Sequence, residues 1–354
     1  GAAYEDGKGL NIWDIFCKDG GHIYENQTGD VACDQYHRYK EDVQIMKEMG
    51  MKAYRFSLSW ARIMPEGTGT VNEKGLKYYD NLINELLDNG IEPFVTLYHW
   101  DLPYALHLQG GWMNPNSPSW FYEYAKVVAE HFSDRVKNFF TINEPQCIVG
   151  LGYQIGEHAP GLKVGPSDYF RIWHNVLKAH GRAVEALREF SKQPVKISMA
   201  PCGALYVPET NKPEDIEAAR KANFSLPENS IGACSWDVAL CCDPVYLGQY
   251  PEDILKEFGQ FFPKVTDADM KLISQPLDFF GQNIYNAVTV RAGEDGKAVR
   301  AARYDGFPQT AIGWPVTPEV LYWAPKFMQE RYKKPFMITE NGMGRENEEA
   351  FMDE

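Results

Sequence analysis

Short apolar runs with β-strand character alternate with amphipathic helical stretches along almost the whole of this 354-residue chain. The strand-like runs cover residues 53–60, 93–100, 138–145, 195–200, 278–285 and 335–341. Helical periodicity predicts helices over about 36–49, 74–89, 118–134, 168–191, 231–242, 251–259, 266–274 and 318–331. Strands that alternate with helices form a parallel sheet with helices packed on it. The alternation therefore predicts an α/β fold.

A TIM (β/α)8 barrel is the form of this fold that the sequence favours. None of the strand-like runs is followed by the G-x-G-x-x-G turn of a Rossmann domain. No linker, low-complexity tract or internal repeat divides the chain. We therefore expect residues 1–354 to form a single (β/α)-barrel domain.

The charge of the chain argues against two classes of partner. Lys and Arg number 35 and Asp and Glu 49, which gives a net charge of −14 at pH 7. An acidic surface repels the phosphates of nucleic acids and the headgroups of anionic lipids. No apolar run approaches the roughly 20 residues of a membrane-spanning helix. We expect neither a nucleic-acid partner nor a membrane partner.

The cysteines indicate a compartment and exclude a kind of site. The chain has seven of them. No two of them form a C-x-x-C pair, and zinc ribbons and thioredoxin-like motifs typically contain such a pair. Buried, reduced thiols are typical of cytoplasmic proteins. The sequence therefore predicts a cytoplasmic location and neither a metal nor a cofactor.

Polar side chains gather where the predicted strands end. They are Arg55, Ser59 and Trp60, then His99, Trp100 and Asp101, then Asn143 and Glu144, then Asn283 and Tyr285, and finally Glu340 and Asn341. Catalytic groups of barrels come from the carboxyl ends of strands. A glycosidase places one protonated and one ionised carboxyl group across the bond that it cleaves, and Glu144 and Glu340 provide such a pair. An Arg55 close to Glu340 would favour the ionised form of that carboxyl group.

Several of these segments resemble glycoside hydrolase family 1. The similarity rests on E-D-G-K-G-L-N-I-W-D (5–14), Y-R-F-S-L-S-W-A-R-I (54–63), Y-H-W-D-L-P (98–103), T-I-N-E-P (141–145), N-I-Y (283–285) and I-T-E-N-G (338–342). The motifs occur in the order of the family and extend over nearly the whole chain. T-I-N-E-P together with I-T-E-N-G is highly specific.

The resemblance implies a retaining β-glycosidase of carbohydrate metabolism, most often a β-glucosidase. It implies that Glu144 is the general acid/base and Glu340 the nucleophile of a double displacement through a covalent glycosyl-enzyme. It also implies that Arg55 and Tyr285 orient the nucleophile. The residues that it implies bind the sugar are His99, Trp100, Asn143, Asn283, Tyr285 and Trp314. Trp314 would lie beside the site of the leaving group, the aglycone.

The sequence departs from the family pattern in two ways. Gln146 stands where the family usually has a Trp after T-I-N-E-P, so we expect an amide in the wall of the aglycone site. The motifs also place the chain on strands two to seven of the family's barrel, so we expect six of the eight strands and truncation at both ends. Open sheet edges favour pairing between copies, which makes a homo-oligomer a further expectation.

Three functions stay open on the sequence alone. The first is a retaining β-glucosidase that acts on small β-glycosides or cello-oligosaccharides. The second is a 6-phospho-β-glucosidase of the same family. The third is an inactive, truncated sugar-binding fragment, and the activity of the chain on its own is left undecided.

Overall fold

A computed structural model describes residues 2–226 and 230–345. In these ranges the α-helices are α1 (Ile12–Phe16), α2 (Gln35–Glu48), α3 (Trp60–Ile63), α4 (Glu73–Asp88), α5 (Tyr104–His107), α6 (Ser117–Phe132), α7 (Pro166–Phe190), α8 (Pro213–Ala222), α9 (Ile231–Ser235), α10 (Val238–Tyr246), α11 (Glu252–Phe258), α12 (Asp267–Ile273) and α13 (Val320–Tyr332). The strands are β1 (Ala53–Ser57), β2 (Glu92–Tyr98), β3 (Asn138–Asn143), β4 (Lys196–Ala200), β5 (Tyr206–Pro208), β6 (Phe280–Asn283), β7 (Val288–Ala292), β8 (Ala298–Arg300) and β9 (Phe336–Glu340). A π-helix covers Cys147–Ile155.

Six parallel strands form the arc on which the site is built. Strands β1, β2, β3 and β4 pair in that order, and β6 pairs with β9. The two groups are joined because Asp278 N–H donates to Ile197 O at 3.0 Å and Asn283 N–H donates to Pro201 O at 2.9 Å. The six strands predicted from the sequence are therefore confirmed, and their carboxyl ends meet at one edge of the arc.

A second, three-stranded sheet was not predicted. It has the order β5-β7-β8, with β5 and β7 parallel and β8 antiparallel to β7. Its strands are short and lie in the segments that follow β4 and β6. Short strands in such connections carry too few residues for their period to be recognised in the sequence.

Helix α4 shows how local sequence determines an element. Its buried side chains, among them Leu76, Ile83 and Leu86, recur at helical spacing and face the sheet. The helix ends where Gly90 takes a φ of 71°. Ile91 N–H then donates to Leu86 O at 2.9 Å, and Gly90 N–H donates to Leu87 O at 3.0 Å. This pair of bonds is the Schellman ending that the Asn-Gly signal predicts.

The predicted helix over 231–242 is two helices in the structure. Asp237 lies between α9 and α10, and its carboxyl group accepts hydrogen bonds from the N–H groups of Ala239 and Leu240. An Asp at this position begins a new helix because it satisfies otherwise unpaired N–H groups. The apolar pattern continues through the break, so periodicity alone does not reveal it.

One large hydrophobic cluster extends from Ile12 to Tyr332 and lies mainly between the arc and its helices. A smaller cluster, centred on Phe140 and Phe279, fills the inside of the arc. Gly281 is needed there, because a Cβ at this position would lie 2.8 Å from Met199 O. That residues 1–354 form a single domain stays a prediction. Among the described residues, no helix combines the length and the apolar character needed to cross a bilayer.

Candidate active site

Glu144 is presented by the end of β3 in an unusual backbone conformation. The pairing of β3 with β4 shifts register between Phe140 and Asn143, and Glu144 then takes a φ of 42°. Its N–H donates to Ala200 O at 2.8 Å, which holds the residue against the end of β4. Positive φ is uncommon for residues with a side chain and clusters at functional sites. The side chain is almost entirely buried, with 6% of the residue exposed.

Glu340 ends β9 and contacts a cation. Arg55 of β1 donates from Nη1 to Glu340 Oε1 at 2.8 Å. The hydroxyl of Tyr285 donates to the second carboxylate oxygen. Both oxygens of Glu340 are therefore held, one by a charged donor and one by a neutral donor. That Arg55 and Tyr285 orient this residue for catalysis stays a prediction, to which the two contacts give a geometric basis.

A chain of hydrogen bonds links the two carboxyl groups. Arg55 Nη2 donates to Asn143 Oδ1 at 2.5 Å. Asn283 Nδ2 contacts the same oxygen at 3.2 Å and donates to Glu144 Oε1 at 2.7 Å. The path therefore runs from Glu340 through Arg55, Asn143 and Asn283 to Glu144. Because Arg55, Asn143 and Asn283 each bond more than one partner, the positions of the two carboxyl groups are fixed relative to each other.

The amide of Asn143 has one orientation that satisfies its neighbours. Its Oδ1 accepts from two donors, so its Nδ2 faces His99 Nε2, 3.2 Å away. His99 must accept through this nitrogen, which requires a neutral ring with its proton on Nδ1. Burial lowers the pKa of His99 to about 4, so the ring is neutral near pH 7. His99 and Asn143 thus hold each other in the site.

Two tryptophans flank this network. Trp100 follows β2 with a φ of 78°, and its Nε1 donates to Asn143 O at 2.9 Å. Trp314 has 40% of its surface exposed, and its ring centroid lies 5.6 Å from that of Tyr285. Trp100 therefore belongs to the framework of the site and Trp314 to its outer surface. A cavity of about 370 Å³ opens beside these groups, lined by Gln35, Tyr54, Arg55, Phe56, Ser57, Thr96, His99, Thr339 and Glu340.

The chain is similar in sequence to known proteins. The family model of Glycosyl hydrolase family 1 matches residues 1–354. The chain belongs to this family. It is 44% identical to Beta-glucosidase A of Thermotoga maritima over 97% of this chain and 74% of that protein. It is 41% identical to a 1,4-beta-D-glucan glucohydrolase of Thermotoga neapolitana over 97% of this chain and 78% of that protein.

Solved structures extend the likeness to the fold. A structure of the beta-glucosidase from Thermotoga maritima in complex with glucoimidazole superposes with a TM-score of 0.84 at 43% identity, covering 97% of this chain and 75% of that chain. Another, in complex with isofagomine lactam, gives the same score and identity. The TIM-barrel fold class predicted from the alternating pattern is that of these family 1 enzymes.

The two glutamates of this family 1 chain have different surroundings. Burial raises the pKa of Glu144, and the nearby charge of Glu340 raises it further, whereas hydrogen bonds from Asn283 and Cys147 lower it. Glu340 is more open, with 26% of its side chain exposed, and it pairs with the guanidinium of Arg55. One carboxyl group is thus placed where the neutral acid is favoured and the other beside a cation. This difference is what an acid and a nucleophile require.

Two expectations about single residues are wrong. Gln146 is fully buried and does not line a wall of the site, because its Nε2 donates to Cys202 O at 2.7 Å and its Oε1 accepts from Cys202 N–H at 3.3 Å. Trp60, grouped above with the polar residues at strand ends, begins α3 and is fully buried among aromatic rings that include Tyr124. In both cases the side chain points into the core, which its position in the sequence does not show.

Sequence reasoning also missed three supporting residues. Trp13, inside the quoted E-D-G-K-G-L-N-I-W-D segment, donates from Nε1 to Trp100 O at 3.1 Å. Thr339 Oγ1 donates to Asn283 Oδ1 at 2.6 Å, and Cys147 Sγ donates to Glu144 Oε2 at 3.1 Å. Trp13 and Thr339 lie within motifs that were noticed, but their contacts depend on how distant segments pack. Cys147 lies two residues after T-I-N-E-P, and its contact depends on the local turn of the chain after Glu144.

Proposed function

We propose that this family 1 chain is a retaining β-glucosidase in which Glu340 is the nucleophile and Glu144 the general acid/base. The observation that carries the assignment is the hydrogen-bonded link between two carboxyl groups in opposite environments, one buried beside neutral donors and one paired with Arg55. The names of the similar relatives support glucosides as substrates. Small β-glucosides and cello-oligosaccharides are the substrates that we propose, because a similar relative is named a 1,4-beta-D-glucan glucohydrolase.

In the first step, a carboxylate oxygen of Glu340 forms a bond to the anomeric carbon. The bond from that carbon to the leaving oxygen breaks, and Glu144 gives its proton to this oxygen. The products are the free alcohol and a glucosyl ester of Glu340. Arg55 and Tyr285 hold Glu340 during the attack, so little orientational freedom is lost.

In the second step, Glu144 is ionised and removes a proton from water. The water oxygen attacks the anomeric carbon, the ester bond to Glu340 breaks, and both glutamates return to their starting protonation states. Two inversions leave the sugar with its original anomeric configuration. His99, Trp100, Asn143, Asn283 and Trp314 are proposed to position the sugar and its aglycone around these steps.

We also propose a cellular compartment for the protein. All seven cysteines are free thiols, which supports a reducing compartment such as the cytoplasm. Association into a homo-oligomer stays a prediction.

The test combines product stereochemistry with trapping of the ester. Proton NMR spectroscopy during cleavage of an aryl β-glucoside should show the β-anomer of glucose first. A 2-fluoro-2-deoxy-β-glucoside with a good leaving group should label the peptide that contains Glu340. Initial release of the α-anomer, or a label on another residue, would contradict the proposal.

The same assay separates the alternatives. Turnover of the glucoside with little turnover of its 6-phosphate is expected of a β-glucosidase. The reverse preference would indicate a 6-phospho-β-glucosidase. Binding of glucose-like inhibitors without turnover of either substrate would indicate a sugar-binding protein.

A further inference from the structure

Cys147 touches the carboxyl group that the proposed mechanism uses as its acid. The residue begins the π-helix that follows T-I-N-E-P, and its N–H donates to Glu144 O at 3.0 Å. Its thiol donates to Glu144 Oε2 at 3.1 Å, whereas Asn283 donates to Oε1. Each oxygen of Glu144 therefore has its own neutral donor within the protein.

The thiol of Cys147 lies close to a second cysteine from a distant part of the chain. Cys202 lies just beyond β4, and the Sγ atoms of Cys147 and Cys202 and a carboxyl oxygen of Glu144 all lie within 4.8 Å of one another. Gln146, the neighbour of Cys147, holds the backbone of Cys202 through two hydrogen bonds. The start of the π-helix and the end of β4 are thus tied together around Glu144. All four residues are buried.

We propose that Cys147 is a positioning residue whose thiol stabilises the carboxylate form of Glu144 after that residue has given its proton to the leaving group. The inference rests on the proposed role of Glu144 as the acid/base. A thiol suits both states of this residue, because its S–H can donate to the carboxylate and its sulfur can accept, weakly, from the neutral acid. Asn283 Nδ2 can only donate. The thiol therefore favours the ionised acid without preventing its reprotonation.

Other charged and titratable groups also face Glu144. Glu340 on β9 raises its pKa and Arg55 on β1 lowers it. Burial raises the pKa of Tyr285, beyond β6, and the charge of Glu144 adds to this effect. The contact with the Cys147 thiol and burial raise the pKa of Cys202, beyond β4, and the charge of Glu144 again adds to these effects. Burial raises the pKa of Glu144 most strongly, and the bonds from Asn283 and Cys147 oppose that effect. Removal of the thiol should therefore move the titration of Glu144 to higher pH.

The experiment compares the pH dependence of kcat/KM for four variants of the full chain. The substrate is an alkyl β-glucoside, whose poor leaving group requires a proton, so the basic limb reports the free-enzyme ionisation of Glu144. Cys147→Ala, and Cys147→Val as a variant that fills the space, should move this limb up by about half a pH unit, since S–H is a weak donor. Cys147→Ser keeps a donor and should leave the limb at or below its wild-type position. Cys234→Ala, at a buried cysteine in α9, is the matched control and should not move it.

The outcomes distinguish this inference from the proposed function. An unmoved limb in both the Ala and Val variants, or the same upward movement in the Ser variant, would overturn the role of Cys147. If Glu144→Ala loses the basic limb and the Cys147 variants do not move it, the role of Cys147 is wrong and the proposed function stands. A wild-type protein that does not cleave β-glucosides, or a Glu144→Ala variant that keeps the basic limb, would instead overturn the proposed function.

Discussion

Among single residues, Glu340 and Glu144 differ in the neighbours that hold them. Glu340 faces a guanidinium and a phenol hydroxyl, whereas Glu144 faces an amide and a thiol in a buried position. The same side chain can therefore perform two different tasks, as nucleophile and as acid. Replacement of either residue should produce a different kinetic defect.

Replacement of Glu340 should abolish formation of the glucosyl ester. Glu340→Gln keeps the shape of the side chain but lacks the nucleophilic carboxylate, so kcat should fall by about four orders of magnitude or more. In Glu340→Ala, azide can enter the vacated space and attack the anomeric carbon of an activated β-glucoside, giving the α-glucosyl azide. Circular dichroism should confirm an intact fold, and Glu123→Gln, at an exposed glutamate of α6, is the control. Near-normal activity in Glu340→Gln would remove this residue from the nucleophile role.

Replacement of Glu144 should change the pH profile. In the proposed mechanism Glu144 acts as a neutral acid, so activity on an alkyl glucoside should fall as pH rises through its pKa, which burial raises. Glu144→Ala should lose this basic limb and most activity on alkyl glucosides. A burst of phenol from an activated aryl glucoside should remain, because its leaving group needs no proton. A basic limb that persists in Glu144→Ala would assign it to another group.

Among secondary-structure elements, five strands and one short helix contribute to the site, and four of the strands do so at their ends. Helix α1 begins at a capping box in which Asn11 accepts from Trp13 N–H and Asp14 N–H, and Asp14 accepts from Asn11 N–H. The segment is fixed to the loop after β2, because Ile12 N–H donates to Leu102 O at 3.0 Å. This places the indole of Trp13 against the carbonyl of Trp100. Helix α1 therefore supports the strained residue at the end of β2.

Removal of the Trp13 hydrogen bond should weaken catalysis without unfolding the protein. Trp13→Phe keeps an aromatic ring but no longer donates to Trp100 O, so Trp100 and the Asn143 carbonyl that it holds should lose their exact placement. We expect kcat/KM to fall by several-fold to about tenfold. Trp323→Phe, a half-buried tryptophan of α13, is the matched control. Equal effects of the two variants on kcat/KM would indicate a general loss of packing.

In the molecule as a whole, a buried carboxyl group that takes no part in the proposed chemistry should affect stability. Burial raises the pKa of Asp237 to about 7, even though two backbone N–H groups stabilise its ionised form. The unfolded chain loses this proton near pH 4. Between about pH 4 and 7 the folded state therefore binds more protons than the unfolded state, and this contribution to stability falls as pH rises.

Asp237→Asn tests this linkage because an Asn keeps the helix cap but does not titrate. The quantity of interest is the free energy of unfolding of the variant minus that of wild type. This difference should increase by up to a few kcal/mol from pH 4 to pH 7. Urea unfolding at a series of pH values measures the difference. Asp267→Asn, at an exposed residue in the first turn of α12, is the control. A difference between Asp237→Asn and wild type that does not change with pH would contradict the prediction.

The sequence by itself determined the alternating α/β pattern and the residues of the site that end strands. Glu144 and Glu340 could be found because parallel strands bring their carboxyl ends to one edge, so that a local position implies a shared location. Arg55 lies in the middle of β1 and not at its end, and its side chain still lies 2.8 Å from Glu340. These inferences need only the direction of each strand and not the details of packing.

Tertiary structure decided which side chains support that site. Gln146 acts through a contact with Cys202 after β4, and Trp13 acts through a contact with Trp100 after β2. Hydrogen-bond energy depends on tenths of an ångström between atoms that are distant in the chain, and no periodicity in the sequence carries that information. The burial of Gln146 is an example, because the chemistry of an amide suits a wall of the site and a buried backbone contact equally well. Only the packing of the π-helix against the end of β4 decides between them.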